Sequence, residues 1–362
     1  MIVTLRLLDA EVRLSGPSNL VEGIAAAYGR FVVTRSGDDA PAAVDGRPVP
    51  PLDGVPLEAL VYERFARAVQ RRVAGAALLH GAALVDRRGG ATIIAAPSGL
   101  GKTSLTLELA ARGMRFLTDD FAALDVDAAA IHPFPRRVGI RPDGTAPLPA
   151  PFARAARDRT TPRLFGKALV DVGETLGEGA MAKGPAPLAR VVLLTPGDPA
   201  GPYAAADALA VTVRAEGADR VAARLAAVPG LRRDELSARG GVVTWRLETA
   251  REPLGGDAAS AAGDLAAALD DPATICIAPL LDDPPDFSRP PAARPIKRRE
   301  AALALARDMF NRGPGAFAAR RGGLAGMVLA LAGALAGASC WVVRPGPLGA
   351  TADLIESLGD SA

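Results

Sequence analysis

The stretch Thr92-Ile93-Ile94-Ala95-Ala96-Pro97-Ser98-Gly99-Leu100-Gly101-Lys102-Thr103-Ser104-Leu105-Thr106-Leu107 decides the fold class. Its first four residues read as a short apolar strand, and the run from Ser104 has helical apolar spacing. Between them, Ala96 to Thr103 fits the phosphate-binding loop pattern, with Ala96 where a first glycine is usual. Gly99 and Gly101 let the backbone curl so that several N–H groups point at phosphate oxygens, and the helix N-terminus adds its positive end. Lys102 is placed to reach the outer phosphates, and the Thr103 hydroxyl to ligate Mg²⁺. The expected nucleotide-binding set is therefore Ser98, Gly99, Leu100, Gly101, Lys102, Thr103 and Ser104. A glycine-rich turn with a chance lysine is the alternative, and the strand before and helix after argue against it.

Reading onward, Gly113 suits the residue just past a helix end. Met114-Arg115-Phe116-Leu117-Thr118 then reads as a strand with Asp119-Asp120 at its C-terminal end. If that strand lies beside the one feeding the loop, both carboxylates face the phosphates. One can hold Mg²⁺ and the other can accept a proton from an attacking hydroxyl. A solvated acidic turn is the alternative reading of the pair. Reading backward, Leu78 to Val85 is a strand separated from Thr92 by the short turn Asp86-Arg87-Arg88-Gly89-Gly90. A connection that short makes a hairpin, so those two strands are antiparallel and the sheet is mixed. The chain also lacks an Asn-Lys-x-Asp guanine-reading run.

Leu78-Leu79-His80-Gly81-Ala82-Ala83-Leu84-Val85, the loop, Arg112-Gly113 and the strand ending in Asp119-Asp120 together resemble a known family. It is the catalytic C-terminal domain of HPr serine kinase/phosphorylase and, more closely, its bacterial HPr kinase-related members. The detailed resemblance covers about residues 76 to 142. It implies a P-loop, HPr kinase-like α/β fold with a mixed sheet flanked by helices, using ATP and Mg²⁺. It implies Asp119 as the base that activates an acceptor hydroxyl, Asp120 with Thr103 as metal ligands, Lys102 on the phosphates and His80 nearby. A histidine packed between strands is the alternative for His80. The bifunctional enzymes carry a Glu-x-Arg-Gly run downstream of their Asp-Asp. Here the corresponding region reads Pro133-Phe134-Pro135-Arg136-Arg137-Val138-Gly139-Ile140-Arg141-Pro142. The missing glutamate removes one expected metal contact and leaves a kinase better supported than phosphorylase activity or HPr as acceptor. Related kinases without it include those of lasso-peptide clusters, which phosphorylate a C-terminal serine. The resemblance thus implies a partner that is a peptide or small protein with an acceptor serine, and it leaves a homo-oligomer open. A small-molecule kinase on the same scaffold and a non-catalytic nucleotide-binding regulator are the alternatives.

Strand alternation places Arg137, Gly139 and Arg141 on one face, either a solvated basic strip or a source of charge for a transferring phosphoryl group. Lys167, in Arg163-Leu164-Phe165-Gly166-Lys167, is either a phosphate contact or a surface lysine at a strand start. His132 reads as a loop or strand-edge residue.

The chain has 362 residues, 49% of them hydrophobic and only 4% aromatic, so alanine must do much of the packing. A formal net charge of +2, and basic patches without interleaved aromatics, argue against a nucleic-acid binder. Cys276 and Cys340 are too few for a disulfide framework and read as buried thiols. The uncharged run Leu324 to Val343 is long enough to span a membrane, but it is built of alanine and glycine and breaks near Ser339. It reads as a buried helix and strand, and the chain, without a signal-peptide layout at Met1, as cytoplasmic. Three regions are expected. Residues 1–75 form a small αβ region, 76–285 the catalytic domain, and 286–362 a mostly helical region packing on it.

Overall fold

The computed structural model of the chain describes residues 1–37, 40–51, 56–97, 99–142, 144, 146–200, 208–239, 241–249, 265, 268–269, 271, 273–280, 285–313 and 315–358. Ser98, the turn residues Gly201-Pro202, the acidic run Asp282-Asp283-Pro284 and the Cys276 side chain lie outside the described residues.

Near the N-terminus, Ile2–Leu7 and Ala10–Ser15 pair antiparallel. Their alternation buries Val3, Leu5, Leu7, Val12 and Leu14 on one face. Val32–Ser36, Ala43–Val44 and Arg47–Pro48 complete a five-stranded sheet. The helix Leu57–Arg72 lies against it, burying Leu60, Val61, Phe65 and Val69 at helical spacing. The resulting core is not closed. It continues into Leu78, Phe121, Ala123 and Phe134 of the next layer.

That layer is an eight-stranded mixed sheet. Ala77–Val85 and Ala91–Ala95 form the expected antiparallel hairpin, with Gly89 at φ +89° in the turn. Ala91–Ala95 then pairs parallel with Ala186–Leu194, which pairs parallel with Ser339–Arg344. Ala292–Pro295 adds an antiparallel edge. At the other end Phe121–Asp125 and Ala130–His132 follow, and Ala130–His132 also bonds Ala186–Leu194. There are two smaller sheets among the described residues. Val138–Ile140, Lys167–Val170 and Arg163–Leu164 make a three-stranded sheet. Leu231–Arg239, Val242–Thr249, Ala208–Arg214 and Thr274–Leu280 make a four-stranded one with its own apolar core. The chain is thus a mixed α/β fold of several sheets flanked by helices.

The helix Lys102–Ala111 follows the glycine loop directly. It ends as the sequence predicts. Gly113 adopts φ +102°, its N–H bonds Ala110 O and the Met114 N–H bonds Leu109 O, which satisfies two orphan carbonyls of the last turn. On its far side Arg112 pairs with Asp353 and Glu356 of the helix Leu348–Ser357. The apolar run after Leu324 is an 11-residue helix, Leu324–Ala334, followed by the strand Ser339–Arg344. No described helix is long and apolar enough to cross a membrane.

Candidate active site

One long strand organises the site. Ala77–Val85 pairs with Phe121–Asp125 through residues 77–80 and with Arg115–Thr118 through residues 83–85. The chain therefore leaves one ladder and rejoins another on the same strand, and Asp119-Asp120 fills the interruption opposite Gly81-Ala82. The Gly81 N–H bonds Asp120 O at 3.1 Å. Gly81 is held closely from the other side as well, since a Cβ there would meet Ile94 O at 3.1 Å. The Thr118 hydroxyl accepts from the N–H groups of Asp120 and Phe121, which fixes the turn.

This corrects one expectation. The strand carrying the aspartates does not lie beside the loop-feeding strand, whose two neighbours are Ala77–Val85 and Ala186–Leu194. It lies one strand away, and the carboxylates reach the loop lysine across the His-Gly strand.

Gly101 caps the helix in the left-handed region at φ +76°, and Gly99 sits at +93°. These conformations are open to glycine at little cost and strained for other residues. The turn delivers Lys102 inward, where its side chain is 9% exposed and Nζ stands 3.5 Å from Asp120 Oδ1. Thr103 is half-buried in the first turn, while Ser104 and Leu100 are buried. His80 Nε2 stands 3.4 Å from the same Asp120 oxygen.

The residue that completes the cluster is Arg136. Its Nη2 donates to Asp120 Oδ2 at 2.8 Å, and Nε lies 3.3 Å from Asp119 Oδ1. Its Nη1 reaches the Tyr62 hydroxyl at 3.4 Å, and Tyr62 in turn meets the Tyr28 hydroxyl at 3.2 Å. The guanidinium also lies over the Phe121 ring. Two cations and two carboxylates form a compact, formally neutral quartet.

Burial and charge divide the roles within it. Burial pushes the Asp119 carboxyl above the usual range, with Arg136 and Lys102 pulling the other way and Asp120 adding to the rise. Burial also works against the Asp120 carboxylate, but Arg136, His80 and Lys102 together hold it well below that range. Loss of solvation lowers Lys102 from its ordinary value against the pull of the two aspartates. Burial likewise opposes the charge on Arg136, and the aspartates outweigh it, holding the guanidinium well above its ordinary value. A pair of titratable groups pushed apart in this way is the arrangement expected of an acid–base site.

Beyond the quartet, a third carboxyl, Asp308, is pushed up by burial with His80 as the largest opposing charge. Asp308 O accepts the His80 N–H and Leu78 O accepts the Phe310 N–H, so residues 308–310 run as an irregular extra edge beside the strand. Buried Asn311 pins this edge. Its amide accepts from Leu78 N and donates to Ala76 O, each at 2.9 Å.

Lys102, Asp119, Asp120 and His80 lie in one cluster. Gly99, Leu100, Gly101, Thr103 and Ser104 surround the start of the helix. Lys167 does not join them. It is exposed at the start of its strand and packs its stem over Gly139. Arg137, Gly139 and Arg141 lie on the less buried side of the strand Val138–Ile140, away from the quartet. Pro133 and Pro135 keep residues 133–137 out of the ladder, Arg136 bonds Phe134 O across a tight turn, and the strand begins at Val138. Arg137 consequently points to Glu174, and Arg136 enters the site. Among the described residues no group of three or more His, Cys, Asp or Glu side chains is arranged to hold a metal ion alone.

No protein family matches the chain, and no curated protein matches it. Among solved structures, the HPr(Ser) kinase/phosphatase from Coxiella burnetii is 20% identical over a match covering 34% of this chain and 73% of that one, with a TM-score of 0.22. A likeness at that score carries no argument about this chain.

Proposed function

We propose that the protein transfers the γ-phosphoryl group of ATP to a hydroxyl, a serine of a peptide or small protein. The observation that carries this reading is the quartet at the end of the glycine loop. Lys102 Nζ, Asp119 Oδ1 and Arg136 Nε are buried in it and face ionic partners at 3.5 and 3.3 Å without completing a hydrogen bond among the described residues. Unused donor and acceptor capacity in a buried site suits a ligand that supplies both phosphate oxygens and a hydroxyl proton. Mg-ATP fits these residues: the loop amides and Lys102 would take the phosphates, and Thr103 with Asp120 the metal. Mg²⁺ held there would offset the negative charge of the phosphates.

Asp119 is the base. As the serine oxygen attacks the γ-phosphorus in line, its proton passes to Asp119 and the bond to the leaving ADP oxygen breaks with its electron pair. Arg136 opposes the rise that burial imposes on the Asp119 carboxyl, which favours its use as a base. Asp120, held ionised, is suited to the metal rather than to proton transfer. Lys102 spreads the charge developing on the phosphoryl oxygens.

The test is transfer of labelled γ-phosphate from ATP to serine-containing and serine-terminated peptides, an HPr protein and free serine. Label should reach a peptide or protein acceptor. Asp119→Asn should cut the rate by at least about a hundredfold while Mg-ATP still binds. Binding without transfer to any acceptor would overturn the catalytic reading, and transfer to free serine alone would move the substrate class to small molecules.

A further inference from the structure

Among the described residues, two aromatic side chains are exposed, Phe165 and Phe287, and both sit at the margin of this site. Phe165 packs edge-on against Tyr62, the partner of Arg136. Phe287 is 38% exposed and lies over the glycine loop itself. A Cβ on Gly101 would stand 3.6 Å from its Cε1 and 3.7 Å from its Cζ, ordinary contact distance for an apolar pair.

The ring is not on a loose tip. Asp286 accepts from both the N–H and the hydroxyl of Ser288, closing the turn that carries Phe287. Arg344 donates to Pro290 O, and Ala292 enters the sheet opposite Arg344. Gly346 lets this segment lie close, because a Cβ there would collide with Arg289 O and the Pro291 ring. A phenyl group held on an anchored turn, with over a third of its surface in water, carries a standing hydration cost that an apolar face laid on it would relieve.

From this geometry we propose that Phe287 is the base platform of the nucleotide site: the nucleobase of the phosphate donor stacks on its exposed surface. The proposal rests on the glycine loop being a polyphosphate site. That loop holds phosphates through backbone N–H groups and Lys102, so it recognises the polyphosphate tail of any nucleotide and discriminates no base. Phe287 faces the loop across the space beside Gly101, the residue before Lys102, and is placed to meet the part of the ligand that extends beyond the tail. A flat aromatic ring provides stacking without reading base edges, so the site accepts purine nucleotides broadly and favours them over a bare polyphosphate.

The experiment compares equilibrium binding of Mg-ATP, Mg-GTP and Mg-tripolyphosphate to the full-length protein and to Phe287→Ala, Phe287→Leu and Phe287→Trp. Wild type should bind both nucleotides about ten- to a hundredfold more tightly than tripolyphosphate. Phe287→Ala should lose most of that margin with tripolyphosphate affinity unchanged, and Phe287→Trp should keep it. Phe287→Leu retains an apolar contact with Gly101 but has no π face, so it should behave like the alanine variant. An unchanged margin in Phe287→Ala would overturn the platform. So would an equal loss for tripolyphosphate and nucleotide, which would show the ring merely shaping the loop. If wild type binds none of the three ligands, the phosphate-loop reading itself fails and the platform falls with it. Tripolyphosphate binding with no preference for nucleotide would leave that reading standing and refute the platform alone.

Discussion

At the scale of the residue, Arg136 is the side chain that ties the cluster together. One guanidinium faces both aspartates and is itself held by Tyr62. Replacing it with glutamine leaves two neighbouring carboxylates with Lys102 as the remaining cation of the quartet. Removing one partner of a buried ion pair is costly because the other is left unpaired, and here the loss should be on the order of 3 kcal/mol. The same substitution has a kinetic signature. Asp119 must be ionised to act as a base and burial already lifts it; Arg136 is the largest influence in the other direction. Arg136→Gln should therefore move the acid limb of the rate-versus-pH profile to higher pH. Arg136→Lys, which restores charge without the fork, should move it less. A glutamine variant whose acid limb stays where wild type has it would show that Arg136 does not govern Asp119.

At the scale of the element, the interrupted pairing along Ala77–Val85 positions the carboxylates, and the 308–311 edge supports the strand from outside. Asn311 satisfies one buried backbone donor and one acceptor of that strand. Asn311→Ala should cost about 3 kcal/mol, since both groups would be left unpaired. Amide exchange at His80, whose N–H bonds Asp308 O, should accelerate more than exchange across the hairpin at Ala83. Part of this arrangement was legible in advance. The five-residue turn Asp86–Gly90 forced an antiparallel hairpin, and the strand–loop–helix order placed Lys102. The rest depended on features with no period. Nothing in Arg115–Thr118 states which strand it will pair with, because its partner is chosen by which ladder positions the hairpin leaves open. Arg136 was missed because alternation singled out Arg137, Gly139 and Arg141 as a face and gave the intervening arginine no role. Pro133 and Pro135 cannot donate to a ladder, so the segment before Val138 turns instead of pairing, and only that turn brings Arg136 to the aspartates. Residues 308–311 form a bridge between helices, and a single buried asparagine leaves no pattern to read.

At the scale of the whole molecule, the site is a place where stability and chemistry oppose each other. Asp119 has a raised carboxyl in the folded state, so its contribution to stability falls as pH rises from the unfolded value of about 3.9 through the folded one. Asp120 is lowered, so its contribution is present above about 3.9 and is lost as pH falls through its folded value. Asp119→Asn should accordingly raise the midpoint of thermal unfolding at pH 7, and the gain should disappear below about pH 4, where the aspartate is protonated in the unfolded chain too. A variant less stable than wild type at pH 7 would contradict that balance.

The hydroxyl chain from Tyr28 through Tyr62 to Arg136 has a consequence for anyone wishing to transplant this chemistry. Tyr28 and Tyr62 belong to the N-terminal region, whose apolar interior runs without a break into Phe121 and Phe134. A cassette cut at residue 76 and fused to a foreign leader would carry the loop, the lysine and both aspartates. It would arrive with its arginine unmoored and an oily flank uncovered. The portable unit is longer than the motif, and a chimera needs to begin at the first strand.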